Sequence, residues 1–141
     1  MTRWKLVAVL AAVTALGGCS AGQSWAVKLT PTGLPQFVDT GCDAPPVSDV
    51  RVEQDGKEIW RLEFAQPVKI GEVTVSQKPE GAQEKVAWQP PQGDQPVRLS
   101  VRQNDDTSTV EFTLDGLKDG KVKFGGDYLT AEEFAGRREK C

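Results

Sequence analysis

The sequence predicts an all-β protein: an antiparallel β-sandwich closed by a short C-terminal helix, with a small barrel as the alternative. Three observations carry this. Apolar residues recur at every second position in eight separate runs along 141 residues, and a period of two is the mark of strands with one buried face. Clusters rich in Gly, Asp, Asn and Pro separate those runs. A Thr-x-x-Glu pattern stands near the end, where a helix is to start.

The runs follow in order. Trp25-Ala26-Val27-Lys28-Leu29 and Val50-Arg51-Val52-Glu53 alternate, as do Trp60-Arg61-Leu62-Glu63-Phe64, Val73-Thr74-Val75 and Val86-Ala87-Trp88. Val97-Arg98-Leu99-Ser100-Val101-Arg102, Val110-Glu111-Phe112-Thr113-Leu114 and Val122-Lys123-Phe124 complete the set. Each buries an apolar row and exposes a polar one, the habit of antiparallel sheets with a wet face. Trp25, Trp60 and Trp88 fall on the inward rows and are expected in the core, not on a stacking platform. Asp55-Gly56 between two alternating runs marks a tight hairpin. A second hairpin is expected over residues 98–114 through Asn104-Asp105-Asp106. Residues 89–96, Gln-Pro-Pro-Gln-Gly-Asp-Gln-Pro, read as a stiff, exposed connector. Thr130-Ala131-Glu132-Glu133 reads as a capping box, with Phe134 turned inward and Gly136 ending the helix soon after.

Composition narrows the chemistry. The chain has no histidine, which excludes Ser-His-Asp and Cys-His mechanisms and zinc sites built on imidazole. Asp105 with Asp106, Asp115 with Asp119, and Glu132 with Glu133 form carboxylate pairs, the raw material of acid–base catalysis. Each pair also falls where a turn or helix start favours acidic residues for structural reasons. No Gly-rich phosphate loop, Gly-x-Ser-x-Gly elbow or Ser-x-x-Lys occurs. No catalytic residue, metal ligand or cofactor site is therefore assigned.

The first residues set the address. Arg3 and Lys5 precede an apolar run from residue 6 to 16, interrupted only by Thr14, followed by Gly17-Gly18-Cys19-Ser20. This is the layout of a secretory signal, too short to span a bilayer, for which about 20 residues are needed. Leu16-Gly17-Gly18-Cys19 resembles the lipobox of bacterial lipoproteins. The resemblance implies that Cys19 receives a diacylglyceryl group and, after cleavage of residues 1–18, becomes the N-terminus. The mature chain then has 123 of the 141 residues, and Lys+Arg falls from 17 to 15 against 20 Asp+Glu, a balance of −5. That sign disfavours nucleic acid and anionic headgroups, so membrane attachment rests on the lipid. The implied location is the outer face of a bacterial plasma membrane, or the outer membrane of a two-membrane cell, to which Ser20 after the cysteine points.

With Cys19 lipidated, Cys42 and Cys141 remain, an even pair in an oxidising compartment, and a structural disulfide between them is expected. No Cys-x-x-Cys points to redox work. The chain divides on this reading into residues 19–46, a tether and Pro-rich lead-in in which 25–29 has the pattern of a strand, and residues 47–141, the sandwich.

Two further resemblances are local. Leu114-Asp115-Gly116-Leu117-Lys118-Asp119-Gly120 resembles the corner between late strands of fibronectin type III and immunoglobulin-like domains, which makes an immunoglobulin-like topology the preferred sandwich. The tyrosine of that corner is missing from residues 121–124. Residues 128–134 resemble the back half of an EF-hand. The register that puts Glu133 last, however, puts Val122, Phe124 and Gly126 at ligand positions, and none of their side chains ligates calcium.

These residues favour a non-enzymatic, lipid-anchored domain that binds a protein or other component of the cell envelope. A ligand carrier or an inhibitor of an envelope enzyme is the alternative, and a carboxylate-dependent hydrolase is the third reading.

Overall fold

A computed structural model describes residues 25–138 and 140–141. Cys19 and the lipobox lie outside the described residues.

Among the described residues, ten strands form two antiparallel five-stranded sheets. They are β1 (Trp25–Leu29), β2 (Pro35–Asp39), β3 (Val47–Gln54), β4 (Lys57–Val68), β5 (Glu72–Thr74), β6 (Ala82–Val86), β7 (Val97–Gln103), β8 (Asp106–Phe112), β9 (Val122–Phe124) and β10 (Asp127–Leu129). The first sheet has the order β10-β9-β1-β2-β5 and the second β6-β4-β3-β7-β8. Both are open, so the fold is a sandwich and not a barrel. In constant-type immunoglobulin domains the third and fourth strands lie in opposite sheets. Here β3 and β4 are neighbours in one sheet, because Asp55 (φ 53°) and Gly56 (φ 75°) take the paired left-handed conformations of a two-residue hairpin. Gln103 and Asp106 close the second hairpin just as tightly, with Asn104 at φ 54°.

The inward rows meet as alternation predicts. Trp25, Val27 and Phe37 of the first sheet are fully buried with Val50, Val52, Trp60, Leu62, Leu99 and Val101 of the second. The Phe37 ring reaches across the interface to Trp60 (6.4 Å) and Phe112 (6.1 Å, edge-on). Trp88 is only half-buried, because the strand expected to carry it ends at Val86.

The lead-in proves to be sheet. Residues 25–46 supply β1 and β2, so the sandwich begins before residue 47. Prolines hid β2, yet each sits where a strand tolerates it: Pro31 lies in a turn closed by Gly33 N–H donating to Thr30 O, and Pro35 is the first strand residue. The hairpin β9–β10 replaces the EF-hand-like loop. A tyrosine does reach the corner, from Tyr128 on β10. Its hydroxyl accepts from Thr113 N–H at 2.8 Å, and a Cβ on Gly116 would overlap its ring.

Helix α1 (Ala131–Arg137) starts as expected, Thr130 Oγ1 accepting from Glu133 N–H at 3.1 Å. It lies against β9 through Phe134, whose ring meets Phe124 edge-on at 5.4 Å. Arg137 pairs with Asp127, and Arg138 donates to Asp39 O. The chain end thereby reaches Cys42, which is joined to Cys141 across a separation of 99 residues. A loop that long is worth up to about 4–5 kcal/mol in the chain-entropy treatment. Replacing both cysteines by alanine is expected to lower unfolding free energy by roughly 3–5 kcal/mol. Urea denaturation of the oxidised protein and the double variant measures it.

Candidate interaction surface

The outer face of the second sheet holds the largest concentration of paired charges among the described residues. Asp49, Arg51 and Glu53 alternate with the buried valines of β3, and Arg61 and Glu63 with the buried row of β4. Register puts Arg51 directly opposite Arg61, a like-charge contact. Acidic neighbours relieve it: Arg61 reaches Glu63 at 2.7 Å, Asp49 at 3.2 Å and Glu58 at 3.5 Å, and Arg51 reaches Glu58 at 3.3 Å. Partial burial pulls the Arg61 pKa down, but Asp49, Glu58 and Glu63 hold it above its ordinary value. Pairs this exposed each contribute no more than about 1 kcal/mol. Asp49, Arg51 and Arg61 of this network, with Ser100, Arg102 and Thr107, line a shallow depression of about 250 Å³.

At the far end of that sheet lies the Pro-rich connector, and it is not loose. Gln54, 8% exposed, holds it with its whole carboxamide. Oε1 accepts from Gln92 N–H at 2.9 Å, while Nε2 donates to Gln92 O at 3.0 Å and Gln95 O at 3.4 Å. Gln89 N–H donates to Ile59 O at 2.9 Å. Pro90 and Asp94 remain exposed on this fixed frame. Pro96 borders a second depression, about 200 Å³, with Glu53, Asp55, Arg98 and Glu111.

The carboxylate pairs do not converge. Asp105 and Asp106 lie at the β7–β8 turn, Asp115 and Asp119 in a kinked 3₁₀ segment (Asp115–Gly120), and Glu132 and Glu133 in the first turn of α1. Asp115 bonds Lys118 at 2.8 Å, and that hydrogen bond, aided by the charge, lowers its pKa. Among the described residues no group of Cys, Asp and Glu is arranged to hold a metal ion. Cys42 and Cys141 are both consumed by the disulfide. Beside it lies an open depression of about 280 Å³ with Asp43, Lys69, Ile70 and Arg138 on its walls.

Two residues that sequence reasoning passed over do most of the polar positioning. Gln54 follows Val50 and Val52 on the inward row of β3, and Gln103 follows Val97, Leu99 and Val101 on that of β7. A glutamine ending an otherwise apolar row is the signal: its side chain points inward and requires partners.

Replacing Gln54 by alanine is expected to speed amide hydrogen exchange at Gln92 by roughly tenfold, the equivalent of one lost hydrogen bond, with the fold retained. Exchange followed by NMR measures it. A depressed carboxyl pKa means the Asp115–Lys118 pair contributes above the unfolded pKa and is lost as pH falls through the folded one. Lys118→Ala should therefore raise the Asp115 pKa toward the ordinary aspartate value in a carboxyl NMR titration. Compared with protein-family models, with curated proteins and with solved structures, the chain finds no match in any of the three.

Proposed function

We propose that the chain is a lipid-anchored, non-enzymatic binding domain on the extracytoplasmic side of a bacterial membrane, recognising an envelope component through the loop of residues 89–96. The Gln54 clamp carries the reading. Three hydrogen bonds hold a polar loop in one conformation, and an ordered loop loses less entropy on binding than a mobile one. The filled interior supports a surface binder over a carrier. Trp25, Trp60, Phe37 and Phe112 occupy the space between the sheets, and the depressions described above, at about 200–280 Å³, are open and below the size usual for small-ligand sites. The lipid anchor is supported by Leu16-Gly17-Gly18-Cys19 and by a net charge unsuited to electrostatic attachment.

Two measurements test the two halves separately. Cells fed an alkyne fatty acid should label the wild-type chain and leave Cys19→Ser unlabelled and released from membranes; label retained on the variant overturns the anchor. A photoreactive side chain at Gln92 should cross-link one envelope component, with yield falling at least about fivefold in Gln54→Ala, the factor that 1 kcal/mol of preorganisation carries. Equal yield from a photoreactive group at Lys78 overturns the assignment of the loop.

A further inference from the structure

We propose that β8 is a docking edge for the β8 of a second copy of this chain, the two strands pairing antiparallel about a two-fold axis midway between the two copies of Thr109. The inference stands on the sheet edges and does not rest on the loop of residues 89–96 or on the anchor.

Open sheets expose four edge strands, and proteins ordinarily blunt them with short length, bulges, lysine or proline. Three edges here are blunted. β5 and β10 are three residues each, and β6 carries Lys85 and a register shift against β4. β8 differs. It has seven residues, Asp-Thr-Ser-Thr-Val-Glu-Phe, with neither lysine nor proline, and pairs β7 along its whole length without a register shift.

The register says what the edge offers. Gln103 and Asp106 close a two-residue turn, so they are a hydrogen-bonded pair, and such pairs alternate along an antiparallel ladder. The main-chain groups of Ser108 and Val110 therefore face β7, and those of Thr107, Thr109 and Glu111 face outward, all three residues being exposed.

Charge selects a second copy as the occupant. Both Arg98 contacts to Glu111 end on Oε1, at 3.2 and 2.8 Å, which leaves Oε2 free for another donor. Among the described residues no ion pair or side-chain hydrogen bond holds the Arg102 guanidinium, which projects on the same face beside Thr107. Pairing Thr109 with the partner's Thr109 sets Glu111 opposite the partner's Thr107, one strand away from the partner's Arg102. The two unsatisfied groups of each chain are then complementary, twice by symmetry. Six main-chain groups on each edge find partners, and Thr109 meets Thr109, a favoured cross-strand pair. Sliding the register to centre on Ser108 would set Glu111 against the partner's Asp105, two like charges.

Cysteine cross-linking of the full chain in detergent tests the register. A hydrogen-bonded antiparallel pair has Cα atoms about 5.5 Å apart, within disulfide reach. Thr109→Cys should yield a disulfide-linked dimer under mild oxidation. Thr107→Cys or Glu111→Cys alone should not, their symmetry mates lying about 14 Å apart along the strands, whereas a mixture of those two chains should. Adding Arg102→Glu to Thr109→Cys should lower the dimer yield about fivefold. No dimer from Thr109→Cys, equal yields at all three positions, or a product containing a different chain would each overturn the proposal.

Discussion

The sandwich depends on one carboxamide. Gln103, buried at the end of β7, accepts from the Trp25 indole N–H at 3.0 Å and donates to Asp39 Oδ2 at 3.1 Å and Pro45 O at 2.8 Å. Trp25 and Asp39 belong to the first sheet and Gln103 to the second, so this side chain ties the layers together where the first strand begins. Asp39 Oδ1 in turn accepts from Gly41 N–H, and Asp39 O from Arg138. Those bonds shape the loop that delivers Cys42 to Cys141. Remove the carboxamide, and a buried indole N–H loses its acceptor and a buried carboxylate oxygen its donor, each at a cost of about 1–3 kcal/mol. Packing between the sheets is non-directional, whereas these bonds fix one relative placement of the layers.

That dependence explains which parts of the fold were legible. Alternation marks a strand wherever one face is apolar and the other polar, and the rows of β3, β4 and β7 meet that condition. It is weak in β2, whose last three residues, Phe37, Val38 and Asp39, are all buried, and in β6, whose Gln83, Glu84 and Lys85 are all exposed. It is also weak in three-residue strands such as β10, where main-chain pairing with β9 decides and side-chain pattern hardly contributes. Turn chemistry was legible at Asp55-Gly56 because two successive positive φ angles favour those residues. The Tyr128 contact was not, since it joins Thr113 to a residue 15 positions on through a hairpin the pattern does not announce. Gln54 and Gln103 look like surface residues by composition. Only their register, two positions beyond a buried valine in each strand, turns them inward.

Filling the interior has a consequence for function. A sandwich whose centre is occupied by two tryptophans and two phenylalanines at or below 1% exposure leaves recognition to faces, loops and edges. The outer face of the second sheet is largely self-neutralised, Arg61 alone meeting three carboxylates. A partner binding there would have to displace pairs already made and desolvate the charges. The Gln54-held loop and the β8 edge carry no such cost: one presents polar groups already ordered, the other main-chain groups otherwise open to water.

The proposed pairing and the proposed anchor are geometrically compatible. A two-fold axis through paired antiparallel strands runs perpendicular to their sheet, so it keeps each copy's first sheet on the same side of the joined second sheets. Trp25, the first residue of β1, belongs to that first sheet in both copies. On the proposed anchoring, five extended residues span at most roughly 17–18 Å, so lipids held that close to Trp25 in both copies would enter one leaflet with the axis along the membrane normal. Parallel pairing about an axis lying in the sheet would turn the first sheets to opposite sides. Anchoring in a common plane also raises the effective concentration of one edge for the other. That concentration would strengthen a pairing whose main-chain and charge complementarity is complete without it.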